Sequence, residues 1–145
     1  KQVMPTTTAA ITLSSGDLTG YSLSLASTST LTKGNSVTGL DQTTGVNRRI
    51  YTAASEVVLF DETNFGSPTD PGHKIYLRNP STTTSEYFTI KLGDGTGDAN
   101  AQELGRLYAG DWMFIPYSAA ADTDITITPS VATAMTLEYM AIYHT

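Results

Sequence analysis

The sequence contains no cysteine and only two histidines, His73 and His144. Because zinc and copper sites are built mainly from cysteine and histidine side chains, this scarcity argues against a transition-metal centre. Without cysteine there are no disulfide bonds, so we expect a chain of 145 residues to depend on a single apolar core for its stability. We predict neither a metal ion nor any other cofactor.

Patterns typical of catalysis are equally scarce. No serine lies in a Gly-x-Ser-x-Gly turn, and the glycine-rich stretch 93–97 lacks the Gly-Lys-Ser/Thr of a phosphate-binding loop. The two carboxylates of a glycoside hydrolase can lie far apart in a sequence. Here, however, Glu86, Glu103 and Glu138 are predicted at strand starts or on solvent-exposed strand faces. We therefore predict that the protein is not an enzyme.

Basic residues are few and scattered. Fourteen acidic and eight basic side chains produce a formal net charge of -6, and Arg48-Arg49 is the only adjacent basic pair. Nucleic-acid-binding surfaces normally carry a basic stripe, so we predict no nucleic-acid partner. No stretch approaches the roughly 18 consecutive apolar residues of a membrane span, and the first residues lack a signal-peptide core. We expect neither a membrane partner nor an export signal.

Short alternating apolar stretches separated by turn residues predict nine or ten β-strands and no helix. Threonine and serine make up about a quarter of the chain, a composition that suits half-buried strands. The predicted strands are 10–13, 21–27, 49–53, 56–61, 73–79, 86–92, 103–108, 112–115, 124–129 and 135–143. This pattern predicts an all-β, single-domain antiparallel β-sandwich of jelly-roll type over residues 10–145, preceded by an N-terminal arm, residues 1–9. An immunoglobulin-like sandwich is less favoured, because it has fewer strands and a Cys-Trp-Cys spacing that is absent here.

Two strand pairs are predicted from the alternation. If His73–Asn79 and Glu86–Leu92 are adjacent antiparallel strands, their apolar side chains must face the same core. Glu103–Tyr108 and Trp112–Ile115 are predicted to form a second hairpin through the turn 109–111.

The stretch Trp112–Ile115 contains the only tryptophan and is apolar on both strand faces. Such a stretch must be covered on both sides, and Tyr139–Tyr143 has the same character. One cover is the domain core, and the other is more of this chain, a sister subunit or a different protein. Trp112, Tyr108 and Tyr117 either belong to the core or stack on a sugar ring.

Three polar segments lack a strand pattern. The arm 1–9 is either mobile or held by a partner, and the loop 33–48 is long enough to be functional or mobile. The loop Asp94–Asn100 is either a solvated hairpin tip or, because Ca²⁺ prefers oxygen ligands on flexible loops, a calcium site. Its spacing does not match an EF-hand.

Several segments together resemble small virion structural proteins of tailed bacteriophages, particularly those of marine and cyanobacterial phages. The resemblance is carried by His73–Asn79, Glu86–Ile90, Leu104–Pro116, Ile125–Ser130 and Met135–Tyr139. It implies a non-enzymatic capsid decoration or cement protein that binds the outer capsid surface of the virion and is assembled in the host cytoplasm. The implied partners are the major capsid protein and further copies of the chain, with a homotrimer favoured.

On this interpretation, apolar strand faces bury against sister subunits or core, while the arm and the 33–48 loop contact neighbouring capsid proteins. The candidate interface residues are Val3, Met4, Pro5, Arg48, Arg49, Tyr76, Tyr87, Trp112, Phe114, Tyr139 and Tyr143. An acidic exterior would keep the protein away from packaged DNA. The alternative function is a tail or fibre receptor-binding module, or a carbohydrate-binding β-sandwich.

Overall fold

Eleven β-strands and one 3-10 turn make up the regular structure of the described residues. A computed structural model describes residues 6–16, 23–32, 42–64, 73–119 and 121–143. The strands are β1 (Thr6–Ser15), β2 (Leu23–Thr32), β3 (Gln42–Thr43), β4 (Asn47–Tyr51), β5 (Val57–Phe60), β6 (His73–Arg78), β7 (Tyr87–Gly93), β8 (Gln102–Tyr108), β9 (Trp112–Tyr117), β10 (Asp124–Pro129) and β11 (Met135–Tyr143), and the 3-10 turn spans Glu62–Asn64. Within these ranges no helix is long and apolar enough to cross a membrane.

Strands β4 to β11 form two antiparallel sheets. One, here called the Trp112 sheet, has the order β4-β11-β6-β9, with β3 beside the end of β11; the opposite sheet has the order β5-β10-β7-β8. Strand β4 pairs with β11, β5 with β10, β6 with β9 and β7 with β8. This nested pairing is a long double-stranded ribbon wound into two layers, which is a jelly roll. The predicted fold class is confirmed.

The core lies between the inner faces of the two sheets. In β6 the side chains of Ile75 and Leu77 are fully buried, and in β7 those of Phe88 and Ile90 are buried as well. Because side chains alternate between the faces of a strand, the residues between them point outward. The remaining residues of this core are Tyr51, Phe60, Leu107, Tyr117, Ala119, Ile125, Ile127, Met135, Leu137 and Ala141.

Both predicted strand pairs are wrong. Strand β6 pairs with β11 and β9, whereas β7 pairs with β10 and β8, so β6 and β7 face each other across the core. Strands β8 and β9 likewise belong to different sheets, and the turn between them crosses from one sheet to the other. Alternation shows which side chains point inward, but it is identical for neighbours in one sheet and for strands facing each other across one core.

A buried asparagine holds this crossing together. The Nδ2 atom of Asn79 donates hydrogen bonds to the main-chain oxygens of Leu107 (3.1 Å) and Glu86 (3.3 Å). Its main-chain N–H donates to the main-chain oxygen of Asp111 (3.0 Å). Its main-chain oxygen accepts from the N–H of Gly110 (2.9 Å). Asn79 therefore joins the end of β6 to the start of β7 and to the β8–β9 turn.

Strands β1 and β2 form a separate two-stranded antiparallel sheet, the β1–β2 hairpin. The expected boundary between an arm and the domain, after residue 9, falls inside β1, and residues 1–5 lie outside the described residues. Tyr21, expected in the second strand, also lies outside them. In the expected 33–48 loop, residues 42–43 form β3 and Asn47 begins β4, while residues 33–41 are not among those described.

Candidate interface

The outer face of the Trp112 sheet carries a group of large apolar side chains. Tyr76 lies directly opposite Phe114 of β9 and Met140 of β11, so the three side chains share one face. Trp112, two residues before Phe114, lies on the same face and is 52% exposed. We call Tyr76, Trp112, Phe114 and Met140 the outer patch.

The β1–β2 hairpin has one apolar face and one polar face. Leu13 lies opposite Leu25, and the register places Ile11 and Leu23 on the same face. These four residues, here called the hairpin face, are each between 39% and 53% exposed. On the other face Thr12 lies opposite Ala26, and the neighbouring pairs consist mainly of serines and threonines. The apolar face of this hairpin is therefore only partly covered by the described residues of its own chain.

A cleft of about 460 Å³ separates the hairpin from the outer patch. From the hairpin side it is lined by Ala9, Ile11 and Ser27 of the apolar face and by Thr8 and Ala10 of the other face. From the sheet side it is lined by the whole outer patch. The three leucines of the hairpin face do not line it. The second cover predicted for the Trp112–Ile115 stretch is thus partly this chain's own hairpin, and it is incomplete.

A hydrogen-bonded ion pair lies beside the outer patch. The carboxylate of Glu138, on the outer face of β11, accepts from Nε of Arg48 (2.9 Å) and from the hydroxyl of Tyr76 (3.2 Å). The Arg48 Nη2 atom lies 2.8 Å from the same carboxylate. These hydrogen bonds, that of Arg48 foremost, hold the pKa of Glu138 below its usual value. The expectation that Glu138 faces solvent is wrong, because these neighbours bury it.

Two other predicted interface residues are held by contacts between aromatic and basic side chains. The guanidinium of Arg49 lies over the ring of Tyr51, 5.0 Å from its centroid. Tyr87 lies on the outer face of the opposite sheet, with its ring 5.1 Å from that of Tyr108 and the Arg106 guanidinium 5.0 Å from its centroid. Neither group belongs to the outer patch, because Arg49 shares the inner face of β4 with Tyr51 and Tyr87 lies on the other sheet.

The last two aromatic candidates point inward. The ring of Tyr139 makes an edge-to-face contact with Phe60, at a centroid distance of 5.8 Å. The ring of Tyr143 contacts the buried His73 at 6.1 Å. Val3, Met4 and Pro5 lie outside the described residues. The structure therefore brings together Tyr76, Trp112 and Phe114, with Arg48 joined to them through Glu138, and places the remaining described candidates elsewhere.

The sequence prediction did not include the leucines of the hairpin face among the interface candidates. Its signal was the alternation around Leu23 and Leu25, which correctly indicated a strand with one apolar side. Alternation does not show what covers that side, so it could not place these leucines at an interface.

The aromatic side chains considered for sugar stacking do not form one platform. Tyr117 is buried on the inner face of β9. Tyr108, 43% exposed, lies opposite Tyr87 on the outer face of the opposite sheet, whereas Trp112 lies on the outer face of the Trp112 sheet. A single sugar ring could stack on either exposed aromatic but would not rest on all three.

Three carboxylates converge beside the 3-10 turn. Ligand oxygens of Asp61, Glu62 and Asp124 all lie within 4.8 Å of one another. The Oδ1 atom of Asp124 accepts from the main-chain N–H of Glu62 (2.9 Å), and a side-chain hydrogen bond with Asp124 raises the pKa of Glu62. Burial raises the pKa of the neighbouring Tyr117 to about 12. Carboxylates so placed could hold a hard cation such as Ca²⁺, and the hydrogen bonds between Glu62 and Asp124 account for the proximity of those two.

The Asp94–Asn100 loop is closed by one of its own carboxylates. The side chain of Asp98 accepts from the main-chain N–H groups of Asp94 (3.0 Å) and Asn100 (2.7 Å), which lowers the pKa of Asp98. The N–H of Gly97 donates to Glu56 (3.1 Å), the residue before β5, which ties the loop to the start of β5 in the same sheet. The two alternatives for this loop, a solvated hairpin tip and a calcium site, both stay open.

Comparisons with known proteins leave the function open. No protein-family model and no curated protein matches the chain. A solved structure, the crystal structure of the Yersinia pseudotuberculosis-derived mitogen, is similar at 15% sequence identity over 71% of this chain and 86% of that chain, with a TM-score of 0.45. A likeness of this degree carries no argument about what the present protein does.

Proposed function

We propose that this protein is a non-enzymatic structural component of a tailed-phage virion, a capsid decoration or cement protein that binds the outer shell and stabilises it. The observation that carries the proposal is the incomplete cover of the outer patch and of the hairpin face by the part of the chain that the structure describes. Contiguous exposed apolar surface of this kind marks interaction sites on soluble domains. The resemblance of residues 50–143 to phage virion proteins supplies the setting.

The chemistry of this surface suits adhesion. Burying apolar side chains requires no reaction and no cofactor, and it is favourable in proportion to the area removed from water. A shell offers many equivalent positions, so a modest affinity at each contact still retains the protein firmly when several contacts act together. The ion pair of Glu138 with Arg48 keeps the edge of the patch ordered without presenting an unpaired buried charge.

The test is to add purified protein to capsids that lack it. We expect saturable binding at a fixed ratio to the major capsid protein and an increase in the temperature at which the shells break open. Trp112→Ser should weaken binding at least tenfold. Tyr108→Ser, which removes a similarly exposed aromatic from the opposite sheet, is the matched control and should bind as the unchanged protein does.

Absence of saturable binding to such capsids would contradict the proposal. If the protein instead bound cell-surface glycans, and Trp112→Ser abolished that binding, the alternative of a receptor-binding or carbohydrate-binding module would replace it. The exposed indole of Trp112 is the residue that would stack on a sugar in that case.

A further inference from the structure

We propose that the hairpin face of one copy docks onto the outer patch of a second copy, and that the contact is reciprocal. This inference deepens the proposed structural function and depends on it for its setting. The molecule that covers the apolar surface is then another copy of this chain.

The first step is the chemical match between the two surfaces. The hairpin already faces the outer patch of its own chain across the cleft, through residues that include Ala9 and Ile11. The leucines at positions 13, 23 and 25 carry the same apolar face beyond that cleft. One chain therefore displays both an apolar projection and an apolar surface that accepts it. Two copies related by a two-fold axis can satisfy both at once, as an isologous interface requires.

Charge does not oppose this contact. Among the described residues that line the cleft, the only charged side chain is that of Lys74. Two chains that each carry a net charge of -6 repel at long range, but the described lining of the cleft contains no carboxylate. Glu138, which accepts a hydrogen bond from Tyr76 of the outer patch, is paired with Arg48.

The available area sets the expected strength. The exposed parts of the hairpin face and of Trp112 come to roughly 300 Å² of apolar surface per chain, from typical areas of buried aliphatic and aromatic side chains. Since interfaces are a little over half apolar, a reciprocal contact would bury on the order of 1,000 Å² in total. That is the lower limit for a specific interface. We expect weak, concentration-dependent association in solution, reinforced where a shell holds copies side by side.

Sedimentation velocity over a range of concentrations tests association. The unchanged protein should show an average mass that rises above the 15.5 kDa of one chain. The double variant Leu13→Thr with Leu25→Thr introduces β-branched residues that favour strands but removes the apolar pair, and it should need at least tenfold higher concentration to associate. The matched control, Ser14→Thr with Ser24→Thr, changes the directly opposite pair on the other hairpin face and should associate like the unchanged protein. Far-ultraviolet circular dichroism checks that both variants are folded.

Cross-linking tests which surfaces meet. Because the chain has no cysteine, single cysteines can be introduced freely. Leu25→Cys on the hairpin face, mixed with mass-tagged Pro116→Cys at the cleft, should form a mixed covalent dimer with a short bis-maleimide. Ser24→Cys, on the other hairpin face, should form several-fold less. A protein that stays monomeric at all concentrations, or equal cross-linking from Leu25→Cys and Ser24→Cys, would overturn the inference.

Capsid binding by the same proteins separates this inference from the proposed function. Binding to capsids without self-association would overturn the second-copy assignment and leave the decoration function standing. Self-association with specific cross-linking but no capsid binding would support the second-copy assignment and overturn the decoration function.

Discussion

Replacing Asn79 by alanine should destabilise the domain more than any exposed substitution near it. Asn79 is fully buried, and its side chain makes three hydrogen bonds, to the main-chain groups of Glu86, Leu107 and Ser81. A hydrogen bond contributes about 1 kcal/mol net, and a buried main-chain carbonyl left without a partner costs about 1–3 kcal/mol. The carbonyl of Leu107 is the group that loses its partner deepest in the structure, so we expect a loss of about 3–4 kcal/mol.

The loss can be measured by thermal unfolding. For a chain of this length the entropy of unfolding is about 0.3 kcal/mol per degree, so the Tm should fall by roughly 10 °C. Thr82→Ala, at an exposed position three residues further on, is the control and should change the Tm by less than about 2 °C. If Asn79→Ala lowered the Tm no more than this control, the view that Asn79 joins the two sheets would be refuted.

A carboxylate at position 79 should also destabilise the domain, and the size of this effect should depend on pH. Asn79→Asp keeps an oxygen for the N–H of Ser81 but directs a second oxygen at the carbonyls of Glu86 and Leu107. Burial and these carbonyls disfavour the ionised form, so the pKa of the new carboxyl should be raised above that of an unfolded aspartate. The variant should therefore be least stable at neutral pH and should regain stability as the pH falls through the raised folded pKa towards about 4, where the recovery is complete, measured by urea unfolding.

Two further predictions concern an ion pair and a glycine. Because its hydrogen bonds with Arg48 and Tyr76 lower the pKa of Glu138 in the folded state, the stability from Glu138 is present above the unfolded pKa of about 4.3 and is lost as the pH falls through the folded value. The difference in unfolding free energy between the unchanged protein and Glu138→Gln, measured in urea, should therefore shrink as the pH falls below about 4. Gly93→Ala should destabilise the domain by about 1–3 kcal/mol, measured by thermal unfolding, because an added Cβ would lie 2.8 Å from the Cα of Ala101.

A specific result would contradict each of these two predictions. A difference between the unchanged protein and Glu138→Gln that stays the same from pH 7 to pH 2 would show that Glu138 does not act through its charge. For the glycine, Gly16→Ala is the control, since no atom lies within 4 Å of the added Cβ there. Equal stability of the Gly93 and Gly16 variants would show that the chain near Ala101 can move aside without cost.

The sequence alone determined the class of fold and most of the strand positions. Strict alternation marked β6, β7 and β10, and turn residues marked their ends, because a strand with one buried face needs apolar residues at every second position. The same alternation identified Ile75, Leu77, Phe88 and Ile90 as core residues. The absence of alternation in Trp112–Ile115 indicated that this stretch needs cover on both strand faces. These are local properties of the chain, and local residue order is enough to specify them.

Only the tertiary structure decided which strands are neighbours and which surfaces remain uncovered. The winding of the ribbon placed β6 and β7 in different sheets, although their patterns fit a hairpin equally well. It also buried Glu138 beneath Arg48, 90 positions earlier in the chain, turned Tyr139 inward against Phe60, and left Leu13 and Leu25 exposed. Alternation specifies two faces of each strand but not what lies against either face, because that depends on contacts between residues remote in the sequence.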